Sequence, residues 1–167
     1  FLIFCFIVLL KGLNKSNIYV PKLEPNRLLV NFDSKDLFSD TKISSDQLFK
    51  DSDFYILNIW SSWCGPCRDE HKFLIKLSKN PSIKMIGLNY KDNHVNAKKF
   101  IDELGNPYST VLQDIDGTIS IELGAYGVPE TLLINKKKVI IKKIIGPINE
   151  KLTNEINLLV KWKYWNL

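Results

Sequence analysis

FYILNIWSSWCGPC, the stretch from Phe54 to Cys67, decides how this chain folds. Phe54 to Trp60 is a short run, apolar except for Asn58 and bounded by turn residues, and it suits a central strand covered on both faces. Ser61-Ser62-Trp63 turns the chain into a helical pattern. Cys67, Leu74 and Leu77 fall on one face of that helix, with charges elsewhere, and Asn80-Pro81 ends it. A pair of cysteines therefore stands where a buried strand hands over to a helix. Cys64 lands at the helix N-terminus, where unpaired N–H groups and the helix dipole favour a thiolate. Cys67 follows one turn later, facing inward and close enough to close a disulfide. Pro66 is tolerated in the first turn, where its missing N–H costs nothing. Cys64 is thus the candidate nucleophile and Cys67 the resolving thiol: Cys64 would attack a substrate disulfide and Cys67 would release the mixed disulfide.

Other uses of the pair fit less well. Zinc would need four ligands, and beyond the pair the chain offers His71, His94 and Cys5, the last inside an apolar run. Covalent haem attachment needs C-x-x-C-H, and Arg68 stands where the His should be. A passive structural disulfide closing so short a loop would stabilise little while staying open to exchange.

Further strands and helices extend outward from this centre. Leu28 to Phe32 and Phe38 to Ile43 read as strands with turn residues between them. Ser44-Ser45-Asp46-Gln47 reads as a helix start. Ile83 to Tyr90 is the next strand, and Asn93 to Leu104 a helix closed by Gly105. Thr110 to Leu112 is a short strand, and Ile119 to Leu123 is ambiguous between strand and helix. Thr131 to Asn135 and Val139 to Ile145 read as strands joined by a turn at Lys136-Lys137-Lys138. Ile148, Leu152, Ile156 and Leu159 form the apolar stripe of a last helix. Strand-helix-strand-helix followed by a hairpin and a helix predicts an α/β sandwich with a mixed sheet.

The chain has 167 residues, a single domain's worth, and 45% of them are hydrophobic, which excludes a disordered chain. The net charge of +5 invites a nucleic-acid reading. The excess is confined to residues 136–167, which carry +6, and the basic residues of the whole chain are 21 Lys against 2 Arg. Arg would be expected where bidentate phosphate or base contacts matter, so the sequence predicts no nucleic-acid partner and a solvated lysine surface near the C-terminus.

FLIFCFIVLL, residues 1–10, is an unbroken apolar run followed by a polar, Pro-containing stretch, residues 11–27, that reads as a tether. Ten residues are too few to span a bilayer, which takes about 20. The chain starts without Met, so the apolar segment is expected to continue upstream. Signal anchor, cleaved signal peptide and core element compete for this run. The absence of a small-x-small cleavage site after Leu10 favours the anchor. Cys5 reads as an apolar filler. Trp162 and Trp165, with Lys161 and Lys163, are reminiscent of a membrane-interface belt, but read better as the frayed end of the last helix.

LNIWSSWCGPCRDEH (Leu57 to His71), GLNYKD (Gly87 to Asp92), ELGNPY (Glu103 to Tyr108) and GAYGVPETLLIN (Gly124 to Asn135) together carry a family resemblance. The chain resembles thioredoxin-fold proteins and, more narrowly, the CcmG/DsbE family of membrane-anchored thiol reductases of cytochrome c maturation. The likeness runs from Val20 to Trp165. The WCGPC pentamer is shared with general thioredoxins; the GLNYKD and GxYGxPET stretches are far more specific. The resemblance implies a thioredoxin-like fold over residues 28–167, with a central mixed sheet flanked by helices and an N-terminal β extension. It implies that Pro129 is the cis-proline of the fold, that Val128 offers backbone groups to an extended substrate peptide, and that Glu70 and Glu130 are acids near the site that tune the thiols.

The residues themselves argue for Glu70 as well. It lies one turn after Cys67 on the same face, placed to take or return the Cys67 proton; the competing reading is a solvated first-turn acid. For Glu130 the competing reading is a surface acid on a loop. Trp63 reads as a lid on the disulfide and Trp60 as core. Tyr90 and Tyr126 are groove residues by resemblance, or packing residues. Asn58 stands where thioredoxin carries a buried Asp, and Asn cannot shuttle a proton at neutral pH. A proton acceptor for Cys67 must then be Glu70, Glu130 or water.

The expectation is a thiol:disulfide oxidoreductase on the periplasmic face of the inner membrane, with no cofactor beyond the Cys64–Cys67 disulfide and no metal. Its partners would be apocytochrome c, or the haem-ligation protein that handles it, and a membrane electron donor that re-reduces the disulfide. A general extracytoplasmic oxidoreductase with broad clients is the alternative. A redox-inert binding module is disfavoured because both cysteines are present. A peroxidase is disfavoured because the usual Pro/Thr surroundings of its cysteine are missing.

Overall fold

The structure, a computed structural model, describes residues 27–164 together with Ile3, Cys5 and Phe6, the side chains of 163 and 164 excepted. The anchor read at 1–10 and the tether at 11–27 lie outside the described residues but for Ile3, Cys5, Phe6 and Arg27, as does Trp165. Among the described residues no helix is long and apolar enough to cross a membrane.

In chain order the elements are β1 (Asp33–Asp36), β2 (Lys42–Ser44), α1 (Ser45–Leu48), β3 (Phe54–Trp60), α2 (Gly65–Leu77), β4 (Ile83–Tyr90), α3 (His94–Leu104), β5 (Thr110–Asp114), α4 (Thr118–Glu122), β6 (Glu130–Asn135), β7 (Ile140–Ile145) and α5 (Glu150–Tyr164). The strands form one sheet in the order β2-β1-β5-β4-β3-β6-β7. β3, β4 and β5 are parallel. β6 runs antiparallel to β3 and pairs with β7. The β1–β2 hairpin extends the sheet beyond β5. This is the mixed sheet and the N-terminal β extension that the sequence led one to expect.

Every residue of β3 is buried, which is why it reads as a continuous apolar run. Its two-residue period divides the core. Phe54, Ile56 and Trp60 pack with Leu74 and Leu77 of α2, Phe100 and Ile101 of α3, and Ile156 and Val160 of α5. Tyr55, Leu57 and Ile59 pack on the other face with Leu48, Phe49 and Leu123, and with Leu29 and Phe32 from the segment before β1. Fully burying one such side chain stabilises by roughly 1.5–3 kcal/mol relative to exposure. The two cores, not the short disulfide loop, therefore hold the fold.

Two of the expected strands are displaced. Leu28 to Phe32 forms no strand but a single bridge from Leu28 to Val139. Leu29 and Phe32 leave the sheet plane to cover its face, and the polar stretch Asp33–Asp36 makes the ladder. Phe38 to Ile43 begins as a turn, because Asp36 Oδ1 accepts from the N–H groups of Phe38 and Ser39. Pairing resumes only at Lys42. The ambiguous stretch at Ile119 lies within a short helix, α4. The Asp114 carboxylate accepts from Ile119 N at 3.1 Å and Ser120 N at 2.9 Å, which holds its first turn.

Candidate active site

β3 ends at Trp60, and the next residues are tied down before the helix begins. Ser61 Oγ donates to the Tyr90 carbonyl. Asp92 accepts from Ser62 N at 2.5 Å and from Ser62 Oγ at 2.7 Å, and Asn89 Nδ2 donates to the same carboxylate at 2.9 Å. Trp63 Nε1 donates to the Lys91 carbonyl at 3.0 Å, and the residue is 60% exposed. Lys91 holds φ at +43°, an uncommon conformation for a side-chain-bearing residue. The loop that delivers Cys64 is thus clamped to the end of β4.

Cys64 is the N-cap of α2 and is disulfide-bonded to Cys67, their Cα atoms 5.3 Å apart. Cys64 Sγ accepts from Cys67 N at 3.1 Å, so an N–H of the first turn is already aimed at the sulfur that would carry negative charge. Cys64 is 5% exposed and Cys67 1%, which makes the outer sulfur the accessible one.

The Val128–Pro129 peptide is cis. The β3–β6 register sets Glu130 opposite Ile59, so the cis peptide lies just beyond the end of β3. Val128 packs against the cluster that contains Cys64 and Cys67.

The structure separates the two acids proposed to tune the thiols. Glu70 is fully buried on the α2 face of the sheet. Its Oε1 accepts from Asn58 Nδ2 at 2.9 Å and its Oε2 from Ile148 N at 2.7 Å. Burial pushes its carboxyl up from the ordinary 4.5 to about 7, against the pull of the Ile148 N–H and the Asn58 amide. A depression lined by Arg68, Asp69, Lys72, Phe73, Pro147 and Asn149 reaches down to it. Glu70 is therefore not a solvated first-turn acid. Along α2 it sits one turn from Cys67, a separation at which side chains are neighbours.

Glu130 lies on the opposite face of the sheet, because Thr131, its neighbour in β6, is the residue whose side chain meets Asn58. Glu130 is 2% exposed, so it is not a surface acid either. Its Oε1 accepts from the N–H groups of Tyr126 and Gly127 at 2.7 and 3.1 Å, and its Oε2 is ion-paired with Lys143 Nζ at 2.7 Å. Lys143 also donates to the Gly124 carbonyl at 2.6 Å and lies 5.0 Å from the Tyr126 ring centroid. This buried pair braces the loop that leads into Pro129. Tyr126 itself is 64% exposed beside that loop.

The remaining neighbours were not singled out as a network from the sequence. Tyr108 OH donates to Asn58 Oδ1 at 2.7 Å, and Asn58 Nδ2 donates to Thr131 Oγ1 at 3.0 Å. Trp60 is core, as expected, with Phe100 and Tyr108 rings against it at 4.8 and 6.1 Å. His71 is buried, and burial lowers its pKa against the effect of the Gly105 carbonyl. Its Nε2 is 2.8 Å from that carbonyl, which can only accept, so Nε2 carries the proton. One sign could have pointed to the network: a lone amide, Asn58, in an otherwise apolar strand needs buried partners. Among the described residues no group of three or more His, Cys, Asp or Glu side chains could hold a metal ion.

A disulfide-bonded cysteine pair at a helix start, a cis-proline loop beside it and a mixed sheet beneath define a thioredoxin-like fold. The chain belongs to the Redoxin family, whose profile matches residues 31–158. It is 41% identical over 112 residues to the thiol:disulfide interchange protein DsbE of Haemophilus influenzae, covering 67% of this chain and 61% of that protein. It is 42% identical over 100 residues to DsbE of Escherichia coli, covering 60% of this chain and 54% of that protein. The chain thus spans less than two thirds of the length of these relatives. Among solved structures it superposes on the thioredoxin domain of a thiol-disulfide oxidoreductase from Bacteroides vulgatus with a TM-score of 0.71 at 19% identity, covering 83% of this chain and 99% of that one. A thiol:disulfide interchange protein from Bacteroides sp. gives 0.71 at 19% identity, covering 83% and 91%. The likeness to CcmG/DsbE proteins read from the sequence is supported by these relatives.

Proposed function

We propose that the protein is a membrane-anchored reductase on the periplasmic face of the inner membrane, acting in cytochrome c maturation. It would keep the C-x-x-C-H thiols of apocytochrome c, or those of the haem-ligation protein that handles it, reduced. The observation that carries this reading is the Cys64–Cys67 disulfide at the start of α2, with cis Val128–Pro129 at the end of β3 and the buried Glu70 one turn away. The DsbE relatives support it, together with the GLNYKD and GAYGVPET segments.

In this reading the Cys64 thiolate attacks one sulfur of a client disulfide, and the other client sulfur leaves as a thiolate. Cys67 then gives its proton to Glu70 and attacks Cys64 Sγ. The Cys64–Cys67 disulfide re-forms and the second client sulfur leaves as a thiolate, which is protonated. The client gains two electrons and the pair loses two; a membrane electron donor returns them. The backbone at Val128 receives the client as an extended segment. Glu130 acts at one remove, by bracing the Val128–Pro129 loop.

The test is a trap. Full-length protein carrying Cys67→Ala cannot release clients from Cys64, and the species disulfide-linked to it are identified. The expected catch is one or two species, either C-x-x-C-H apocytochromes or their haem-ligation partner. A broad ladder of unrelated exported proteins would overturn the dedicated role in favour of a general oxidoreductase. No adducts, with an intact Cys64 thiol proved by alkylation, would overturn the redox role in cells.

A further inference from the structure

Glu70 receives one of its two hydrogen bonds from an amide that is itself held in place. An Asn side chain presents either its oxygen or its NH2 edge to a neighbour, depending on a half-turn about its last torsion. At Asn58 the oxygen edge faces the Tyr108 hydroxyl and the NH2 edge faces Glu70 and Thr131. Thr131 Oγ can donate or accept, so it does not discriminate between the two settings. Tyr108 is buried, and burial, reinforced by the Glu70 charge, keeps its phenol protonated far past neutral pH. Its proton points at Oδ1, 2.7 Å away.

The seat of Tyr108 is built with equal care from other segments. Its ring lies over Gly87, where a Cβ would stand 2.9 Å from both Tyr108 Cδ2 and Trp60 Nε1. Asn106 Oδ1 accepts from Tyr108 N at 2.9 Å, and the neighbouring Gly105 carbonyl accepts from His71 on α2. Consecutive residues of α2, Glu70 and His71, thus hold the two ends of one arrangement. Glu70 meets Asn58, and His71 meets the loop that carries Tyr108.

We propose that Tyr108 is a positioning residue for Glu70: its hydroxyl turns the NH2 edge of Asn58 toward the carboxylate and so favours the ionised acid. This rests on the reading of Glu70 as proton partner of Cys67 only for its catalytic use, not for its geometry. Without the hydroxyl, Asn58 Oδ1 is left buried without a donor, an unfavourable state. The amide then gains by turning that oxygen toward a protonated Glu70. The groups around Glu70 are Asn58 from β3, Thr131 from β6, Tyr108, and the backbone N–H of Ile148 from the segment before α5. Arg68, Asp69 and Lys72 line the depression above it.

The experiment follows the Glu70 carboxyl carbon by NMR as pH is varied, in the oxidised full chain, for wild type, Tyr108→Phe and Thr131→Val. Tyr108→Phe keeps the ring on Trp60 and is expected to raise the Glu70 midpoint by about one pH unit, a tenfold change in acidity. Thr131→Val removes a different contact of the same amide and leaves the midpoint near the wild-type value. A midpoint unmoved in Tyr108→Phe, or moved as far in Thr131→Val, overturns the proposal. If Tyr108→Phe does not fold, Asn58→Ala answers the same question, because it must raise the midpoint at least as far; an unmoved midpoint there overturns the proposal too. The pH profile of mixed-disulfide resolution by Cys67 is recorded in parallel. A Glu70 midpoint that moves while that profile stays put supports the Tyr108 lock and separately overturns Glu70 as the proton partner.

Discussion

Glu70 is a carboxyl whose folded pKa is raised, so folding favours its protonated form. Its contribution to stability is fully present below the ordinary 4.5 and is lost as pH rises through about 7. His71, whose pKa is lowered, works in the opposite sense: its contribution is present above 6.5 and is lost as pH falls through its depressed value. The two overlap on the acid side of 6.5, so the Glu70 contribution has to be isolated by difference. Glu70→Gln keeps His71 and removes the titration. Relative to this variant, the oxidised wild-type protein should lose on the order of 3 kcal/mol between pH 4.5 and 8. Urea unfolding at a series of pH values measures it, and parallel curves for the two proteins would sink the assignment. Cys64, Cys67 and Glu70 were legible in the sequence because helical spacing is local. The partners of Asn58 were not: Tyr108 and Thr131 lie 50 and 73 residues away, and no period in the chain reports such a meeting.

Among the elements, strands buried on both faces announced themselves, and amphipathic helices did so nearly as well. β1 was missed because its residues are polar while its apolar neighbours Leu29 and Phe32 cover the sheet face instead of joining it. In β7 the sequence misled in another way. The lysines after residue 135 read as a solvated surface, yet Lys143 has a side chain only 9% exposed and neutralises Glu130 beneath the cis-proline loop. A charge run says nothing about which member the strand period turns inward. Taking away one partner of a buried pair leaves the other charge without compensation. Lys143→Met should therefore destabilise the protein by about 3–5 kcal/mol, read from the urea midpoint. A loss below about 1 kcal/mol would show that the pair behaves as an exposed one.

On the scale of the whole molecule, the site sits where the chain's paths divide. From β3 the chain crosses through α2 to β4 on one side, and β6 returns to pair on the other side after α4. The end of β3 is thus a topological switch point between diverging connections, where open α/β sheets place their ligand sites. The order of elements could be read from the sequence. The placement of β6 beside β3, which brings residues 128–130 near the cysteines, could not, because strand adjacency is decided by tertiary packing. The same arrangement sets a gradient of stability. β3 is paired along both sides and buried throughout, whereas β2 has three residues and a single partner. Amide hydrogen exchange should show β3 amides opening only with global unfolding and β2 amides opening well before it. Equal protection in the two strands would refute this gradient.

The margins of the sheet bear on how the molecule behaves in crowded solution. One border is β2, short and carrying Lys42; the other is β7, with Lys142 along it and the bridge from Leu28 to Val139 beside its start. A very short edge strand at one border and an edge lysine at each discourage a further strand from adding on. For a protein that handles extended polypeptides, as proposed above, this would keep concentrated copies from zipping into polymers through their own backbones.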